Sequence, residues 1–236
     1  YKRQSEDRER FQKLIQKVGL KQPKSDISLG TKELVTKSSK LKFPILLRPS
    51  YVLGGRMMEK MANLDDVQDY IDQNYWALEN NVILIDEFLQ NAKEVDVDVL
   101  RDNQGNTMIA GIMEHIEEAG IHSGDSACSI PPFSLNDSII SDIKKFSISL
   151  VNELKILGLM NIQYAIKDDE IFILEANPRA SRTIPFLAKA IGIPFIKIAA
   201  ELIVGKTLTE GYQNFDNSTL PYLSLIHISE PTRPLY

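Results

Sequence analysis

The sequence has little cysteine, no excess of basic residues and no long apolar run. Cys128 is the single cysteine among 236 residues, which excludes a disulfide framework within the chain and is typical of a reducing compartment. We expect Cys128 to be a small buried apolar residue. The formal net charge of -5 offers no basic surface for nucleic acid. No segment resembles a signal peptide or a transmembrane span, so we expect a cytoplasmic protein that binds neither nucleic acid nor membrane.

Two common nucleotide-binding signatures are also missing. Neither GxxxxGK[ST] nor GxGxxG occurs, so a nucleotide site here would belong to another class than the P-loop or Rossmann folds. His115 and His122 have neither the cysteine partners nor the HExxH spacing of a zinc site. The hydrophobic content of 43% still allows a large core, enough for one two-lobed domain or two small ones.

The segment MNIQYAIKDDEIFILEANPRASR carries polar residues where a sheet is normally apolar. It predicts two strands, Asn161 to Ile166 and Ile171 to Leu174, joined by a charged turn. Because side chains alternate along a strand, Glu175 and Asn177 share one face, and Gln163 lies on the partner strand.

These three side chains predict a metal site. Two amide oxygens and one carboxylate suit Mg²⁺ or Mn²⁺, with water and phosphate oxygens as the other ligands. Arg179 follows two residues after Asn177, where its charge can meet phosphate. The alternative interpretation is an ordinary hairpin with exposed polar residues.

The metal site depends on the hairpin register. A two-residue turn at Asp168 and Asp169 would put Leu174 opposite Gln163. A three-residue loop, Asp168 to Glu170, would instead bring Glu175 opposite Gln163. We therefore predict this loop, or a bulge with the same effect.

A second segment, RPSYVLGGRMME, follows an apolar strand at Phe43 to Leu47. Gly54 and Gly55 let backbone N–H groups approach an anion closely, and Arg48 and Arg56 add charge on either side. This combination can cradle nucleotide phosphates, although a Gly-Gly pair alone usually marks only a turn.

Helical spacing and an Asn63 N-cap predict a helix over Leu64 to Leu78, with Trp76 in the core. The pattern of Val82 to Leu89 predicts an apolar strand that turns polar at Asp86 and Glu87, an edge that could present backbone groups to an adenine.

The segment EVDVDVL alternates cleanly, which predicts a strand with its valines in the core and Asp96 and Asp98 facing outward. Glu94 could bind ribose hydroxyls or be a solvated acid at the strand end. The loop GIHSGDS, Gly120 to Ser126, suits ligand contact, with His122 as a hydrogen-bond donor to phosphate.

Four segments, RPSYVLGGRMME, EHIEEAGIHSGDSACSIPP, GLMNIQYAI and ILEANPRASRTIPFLAKAIGIPFIKIAA, resemble the ATP-grasp domain in the second half of carbamoyl-phosphate synthase large chains. The resemblance runs from about Glu6 to Leu208. It implies an α+β ATP-grasp fold in which two α+β lobes hold the nucleotide between antiparallel sheets. We expect a linker helix at 1–20, an ATP-grasp domain at 21–212 with lobes at 21–86 and 87–212, and a tail at 213–236. The chain from Leu223 onward does not continue the family pattern, and we expect residues 225–236 to be non-native and to pack poorly.

The resemblance also implies roles for individual residues. Arg8 and Arg48 would contact the phosphates. Gly54 and Gly55 would belong to a mobile glycine loop. Glu87, Leu89 and Glu94 would border the adenine and the ribose. The loop beside the nucleotide would consist of Gly120, Ile121, His122 and Ser123. The metal ligands would be Gln163, Glu175 and Asn177, and Arg179 would steady the transferred phosphoryl group. Arg179, Arg48 and Asn177 would be the catalytic residues.

The activity implied by the resemblance is phosphorylation of carbamate, itself derived from bicarbonate, by ATP with Mg²⁺ or Mn²⁺. Such a ligase feeds arginine and pyrimidine biosynthesis and works with the remaining domains of the large chain and a glutaminase small subunit or free ammonia. Two alternatives stay open, namely another ATP-grasp carboxylate–amine ligase or carboxylase, and a fragment that binds nucleotide without turnover.

Overall fold

The computed structural model describes residues 8–49, 57–119, 126–208 and 223–225. The chain divides into a smaller unit, Pro23–Gln90, and a larger unit that combines Tyr1–Gln22 with Asn91–Tyr236. The first helix, α1, spans Arg8–Val18 in the larger unit. Phe11 and Ile15 of this helix are buried in the core of that unit. The domain boundaries expected above, including a linker role for this helix and a non-native tail, stay predictions.

The smaller unit is a four-stranded antiparallel sheet with two helices. Its elements are β1 (Ser25–Leu29), α2 (Leu34–Ser38), β2 (Ile45–Pro49), β3 (Glu59–Met61), α3 (Leu64–Leu78) and β4 (Val82–Glu87). The strand order is β1-β4-β2-β3. Alternate residues of the central strands, such as Ile45, Leu47, Ile83 and Ile85, are buried in one core, as expected for a sheet with one covered face.

The larger unit is built on an antiparallel sheet of six strands. Its further elements are β5 (Lys93–Arg101), β6 (Thr107–Glu118), β7 (Cys128–Ile130), α4 (Asp137–Glu153), β8 (Gly158–Lys167), β9 (Glu170–Asn177), α5 (Ile184–Ile191), α6 (Phe195–Ile203) and β10 (Leu223–Leu225). The strand order is β10-β7-β6-β5-β8-β9. Cys128 is buried, as predicted. Among the described residues, no helix combines the length and the apolar character needed to cross a membrane.

Both faces of the larger sheet are covered. Val95, Val97 and Val99 pack in a core with α1 and α4. On the other face, α5 and α6 cover a second core that includes Leu100 and Leu159.

The expectation that Asp96 and Asp98 face outward to solvent was wrong. These side chains alternate with the valines as predicted, but they are 2% and 0% exposed. The reason is that elements distant in sequence cover the second face as well, which the pattern of the strand alone does not reveal.

The hairpin between β8 and β9 contains the predicted bulge. Lys167 pairs with Glu170 across a two-residue turn, so the predicted three-residue loop was wrong. Asp168 and Asp169 have φ values of 51° and 60°, as a turn that follows the strand twist requires. The register shifts between Tyr164, which pairs with Ile173, and Gln163, so that Leu174 is the extra residue of the bulge. Gln163 therefore lies opposite Glu175, as the bulge alternative predicted.

Helix α3 confirms the predicted boundaries and the predicted cap. Asn63 has extended backbone angles, and its side chain accepts a hydrogen bond from the Asp66 backbone N–H. The prediction of a core role for Trp76 was wrong, because this side chain is 84% exposed. At 3.6 residues per turn, Trp76 lies about half a turn away from the buried stripe that contains Val67 and Leu78.

Replacing the cap tests the role of Asn63. We expect Asn63→Ala to lower the free energy of unfolding by about 1 kcal/mol, since one backbone donor at the helix start loses its partner. Urea denaturation followed by far-UV circular dichroism measures the change. Gln73→Ala, an exposed position in the same helix, is the matched control and should shift stability by less than half as much. Equal effects of the two substitutions would contradict the capping role.

Candidate functional site

The register of three neighbouring strands sets polar side chains in two rows on one face of the larger sheet. Directly opposite residues on antiparallel strands share a face. The first row consists of Asp96, Gln163 and Glu175, and the second row of Asp98, Asn161 and Asn177. Their chain neighbours Val97, Ile162 and Ala176 belong to the core of the opposite face. The apolar packing therefore fixes which way both rows point.

The predicted metal ligands lie together in these rows. Gln163 and Glu175 are adjacent in the first row, and Asn177 ends the second row. Glu175 is exposed, whereas Gln163 and Asn177 are partly buried. Arg179 is exposed directly beyond β9, and its backbone N–H donates to the Asn177 carbonyl at 2.8 Å. This geometry groups one carboxylate and two amides on a single hairpin, with Arg179 two residues beyond its last strand.

A carboxylate missed by the sequence reasoning anchors the chain beyond β9. Asp98 Oδ2 accepts hydrogen bonds from Ser181 Oγ at 2.8 Å and Thr183 Oγ1 at 2.9 Å. Its other oxygen, Oδ1, accepts one from Asn161 Nδ2 at 3.2 Å. Ser181 Oγ in turn accepts from the Ile184 N–H at the start of α5. Asp98 thus ties the segment that carries Arg179 to the middle of the sheet.

The electrostatics of Asp98 follow from its position. Burial and the nearby charge of Asp96 raise its pKa to about 7, although the three hydrogen-bond donors act in the opposite direction. Protonation of this carboxylate therefore occurs close to neutral pH.

Asp96 of the first row forms a buried ion pair with His115, which the sequence reasoning also missed. His115 Nε2 lies 3.0 Å from Asp96 Oδ2, and both side chains are almost fully buried. Burial lowers the pKa of His115, but the hydrogen bond and the charge of Asp96 outweigh this effect and raise it to about 10. Asp96 Oδ1 and His115 Nδ1 have no hydrogen-bond partner in the described part of the chain.

Glu94 lies on the same strand face as Asp96 and Asp98, opposite Ala165 of β8. It is 5% exposed. The simpler interpretation of Glu94 as a solvated acid at a strand end was therefore wrong. Its predicted contact with ribose stays a prediction.

The predicted site residues of the smaller unit do not share a face. Arg48 forms an ion pair with Asp86, with Nη2 and Nε at 2.5 and 2.9 Å from Oδ2. Glu87 lies opposite Ile45 on the core side of the sheet, and its Oε1 accepts from the Lys42 backbone N–H at 2.9 Å. Leu89 follows β4 and is partly buried. A role for Glu87 and Leu89 in adenine binding would hence rely on backbone groups at the end of β4 and just beyond it.

Several predicted contacts lie outside the described residues. These are the side chain of Arg8 and the residues Gly54, Gly55, Gly120, Ile121, His122 and Ser123. Their roles stay predictions.

The donor set of the two rows fits a hard divalent cation. In the part of the chain that the structure describes, no group of three or more His, Cys, Asp or Glu side chains is arranged to hold a metal ion. An ion at Glu175 would therefore use the amide oxygens of Gln163 and Asn177, and amide and carboxylate oxygens are the ligands that Mg²⁺ and Mn²⁺ prefer. Among the described residues, Asp96 Oδ1 at the inner end of the row has no hydrogen-bond partner, which agrees with a row whose polar contacts are completed only when a ligand is bound.

The pKa of Asp98 predicts a pH dependence of stability. Because the native carboxyl keeps its proton at pH values where the unfolded chain, with an ordinary pKa of 3.8, has lost it, protonation favours the native state. This contribution to the free energy of unfolding falls as the pH rises from about 4 to about 7. Asp98→Asn removes the titration, so wild-type chain should lose stability relative to this variant across that range in urea denaturation. Parallel curves for the two chains would refute the assignment.

The raised pKa of His115 predicts a second pH dependence of stability, at alkaline pH. Its native pKa lies above the ordinary value of 6.5, so its contribution is complete below that pH and is lost as the pH rises toward 10. We expect the stability difference between wild type and His115→Gln to shrink over this alkaline range. A constant difference would mean that the buried imidazole does not carry a charge.

The comparison of sequences identifies the family. The family model described as "Carbamoyl-phosphate synthase L chain, ATP binding domain" matches residues 7–211. The carbamoyl phosphate synthase large chain of Xanthomonas axonopodis pv. citri (strain 306) is 47% identical over 211 residues, which cover 87% of this chain and 20% of that relative. This chain therefore spans about a fifth of the length of such relatives.

Solved structures show the same architecture at much lower identity. The biotin carboxylase–β-γ-ATP complex from Campylobacter jejuni superposes with a TM-score of 0.74 at 16% identity, over 89% of this chain and 48% of that chain. The biotin carboxylase domain of Hydrogenobacter thermophilus 2-oxoglutarate carboxylase, solved with MgADP, ADP and bicarbonate, has a TM-score of 0.71 at 16% identity, over 93% of this chain and 49% of that chain. The fold is the predicted α+β ATP-grasp fold. The family match and the fold together show that this chain belongs to the ATP-binding domains of carbamoyl-phosphate synthase large chains.

Proposed function

We propose that this domain phosphorylates carbamate with ATP to form carbamoyl phosphate. The observation that carries the proposal is the pairing of Gln163 with Glu175 on one sheet face, with Asn177 beside them. Three oxygen donors on a rigid hairpin can hold a divalent cation in a position where a triphosphate can also bind it. The family match supports a nucleotide as the partner of that ion.

The metal ligands would be Gln163, Glu175 and Asn177, with Mg²⁺ or Mn²⁺ as the ion. When bound, such a cation neutralises charge on the phosphates during transfer. Two amides and one carboxylate leave a net positive ion, which favours the additional phosphate oxygens as ligands.

The remaining residues of the site bind and orient the substrates. Arg179 lies exposed two residues after the proposed ligand Asn177 and would neutralise charge on the transferred group. Asp98 would hold the segment that carries Arg179, through Ser181 and Thr183. Arg8, Arg48 and the backbone of Gly54 and Gly55 would contact phosphates, and closure of that glycine loop would exclude water from carbamate, which decomposes quickly when released.

The proposed nucleotide contacts complete this assignment. Glu87 and Leu89 would border the adenine, and Glu94 would bind the ribose hydroxyls. The loop of Gly120, Ile121, His122 and Ser123 would lie beside the nucleotide, with His122 as a hydrogen-bond donor to phosphate. No protein side chain needs to become covalently modified, because the carbamate oxygen attacks the phosphorus directly.

The wider setting of the reaction belongs to the same proposal. Carbamate would be derived from bicarbonate and from ammonia, supplied free or by a glutaminase small subunit. The remaining domains of the large chain would form the partners of this domain. The product would feed arginine and pyrimidine biosynthesis in the cytoplasm.

Calorimetry with Mg·ATP tests the binding step. We expect the chain to bind Mg·ATP and Glu175→Ala to lose the metal-dependent part of that affinity, since the only carboxylate among the three proposed ligands is removed. Glu118→Ala, an exposed acid in the same sheet, is the matched control and should bind as the unmodified chain does. Metal-dependent binding that survives in Glu175→Ala would contradict the assigned ligand set.

The reverse reaction tests the substrate. A complete large chain that carries this domain should form ATP from Mg·ADP and carbamoyl phosphate, and Arg179→Ala in that chain should slow the reaction more than it weakens ADP binding, because its charge acts on the transferred group. Formation of ATP from another acyl phosphate, with none from carbamoyl phosphate, would favour a different ATP-grasp ligase.

A further inference from the structure

The carboxylate of Asp96 has one oxygen in use and one without a partner. Oδ2 lies 3.0 Å from His115 Nε2, whereas Oδ1 has no hydrogen-bond partner in the described part of the chain. The side chain is only 2% exposed. A buried carboxylate oxygen without a donor is costly, so its persistence in a native fold indicates a donor that arrives with a ligand or a conformational adjustment.

The strand register places one amide residue directly opposite Asp96. Gln163 is the cross-strand partner of Asp96, and both residues lie on the polar face. Within the described residues, the Gln163 amide makes no hydrogen bond. An amide offers an oxygen on one side and an NH₂ group on the other, and only the oxygen can bind a hard cation. The two orientations have nearly the same shape, so a neighbouring group must select between them.

The second row shows a hydrogen bond from an amide of β8 to a carboxylate of β5. Asp98 and Asn161 are paired in the same register, and Asn161 Nδ2 donates to Asp98 Oδ1 at 3.2 Å. The acid of β5 thus accepts from the amide of β8 in the second row. The first row repeats the arrangement of acid and amide, with a side chain that is longer by one methylene.

We propose that Asp96 is a positioning residue: its Oδ1 accepts a hydrogen bond from the Gln163 NH₂ group and thereby turns the Gln163 oxygen toward Glu175 and a divalent cation. His115 occupies Oδ2, so Oδ1 is the oxygen that remains to accept from a neighbouring amide. The inference rests on the proposed function, because it needs a cation at Gln163 and Glu175. A group that holds a metal ligand in its binding orientation typically changes metal affinity by about 10- to 100-fold.

A double-mutant experiment tests this role on the full 236-residue chain. Mn²⁺ affinity is measured by electron paramagnetic resonance of the free ion in the presence of ADP, a readout that does not depend on turnover. We expect Asp96→Ala to weaken Mn²⁺ binding by about tenfold or more when residue 163 is Gln. In the Gln163→Glu background, we expect Asp96→Ala to weaken Mn²⁺ binding much less. A carboxylate has two equivalent oxygens, so no neighbouring group needs to select between them.

Two further variants separate orientation from folding. Val97→Ala removes buried volume from the same strand but on the opposite face, so it should lower stability without changing Mn²⁺ affinity. Asp96→Asn keeps the shape of the side chain if Asp96→Ala does not fold. Because its amide can both donate and accept, it no longer selects one orientation of Gln163, and it should weaken Mn²⁺ binding in the Gln163 background alone.

The possible results are distinguishable. Equal loss of Mn²⁺ affinity in the unmodified background and in the Gln163→Glu background would show that Asp96 only maintains the fold. No loss in the unmodified background would show that Asp96 does not orient the amide. Either result overturns the inference and leaves the proposed function standing. If the unmodified chain and Val97→Ala both fail to bind Mn²⁺ with ADP, the proposed function falls, and this inference falls with it.

Discussion

The pairing of β5, β8 and β9 is the constraint on which the candidate site depends. Alternation along a strand means that a slip of one residue would exchange the polar rows for the apolar residues beside them. The packing of Val97, Ile162 and Ala176 on the opposite face opposes such a slip, because it would expose a core. Leu174 is the extra residue that lets a two-residue turn coexist with the pairing of Gln163 and Glu175.

Placing acids on a covered face raises an electrostatic problem that the fold solves locally. Asp98 receives three side-chain hydrogen bonds, and Asp96 is paired with a buried imidazole. Such pairs are weak evidence for stability, since desolvation opposes them. Their value here is geometric, because they connect the strands to the segment that carries Arg179. They also leave one buried Asp96 oxygen without a partner in the described part of the chain.

The same face changes character along its length. Toward Leu100 and Leu159 it is the apolar core beneath α5 and α6. Toward Glu94, Gln163 and Glu175 it is polar, and its exposure increases from β5 to β9. A rigid apolar base with polar groups at its edge is a favourable arrangement for a ligand site, because the scaffold holds those groups in place before the ligand arrives. The family match and the ATP-grasp architecture agree with this arrangement, and about 16% identity to solved carboxylases shows how far the sequence can vary around one fold.

Patterns in the chain were enough to predict strands β2, β4, β5, β8 and β9, the cap at Asn63, the shared face of Glu175 and Asn177, and the family. These features depend on local alternation, local hydrogen bonding and specific motifs. They could not choose between a longer loop and a bulge, since both give the same cross-strand pair. The burial of Asp96, Asp98 and Glu94, with His115 and Thr183 as neighbours on that face, emerged from the folded arrangement alone. A strand records which residues alternate, whereas the burial of each face depends on helices and loops that come from elsewhere in the chain.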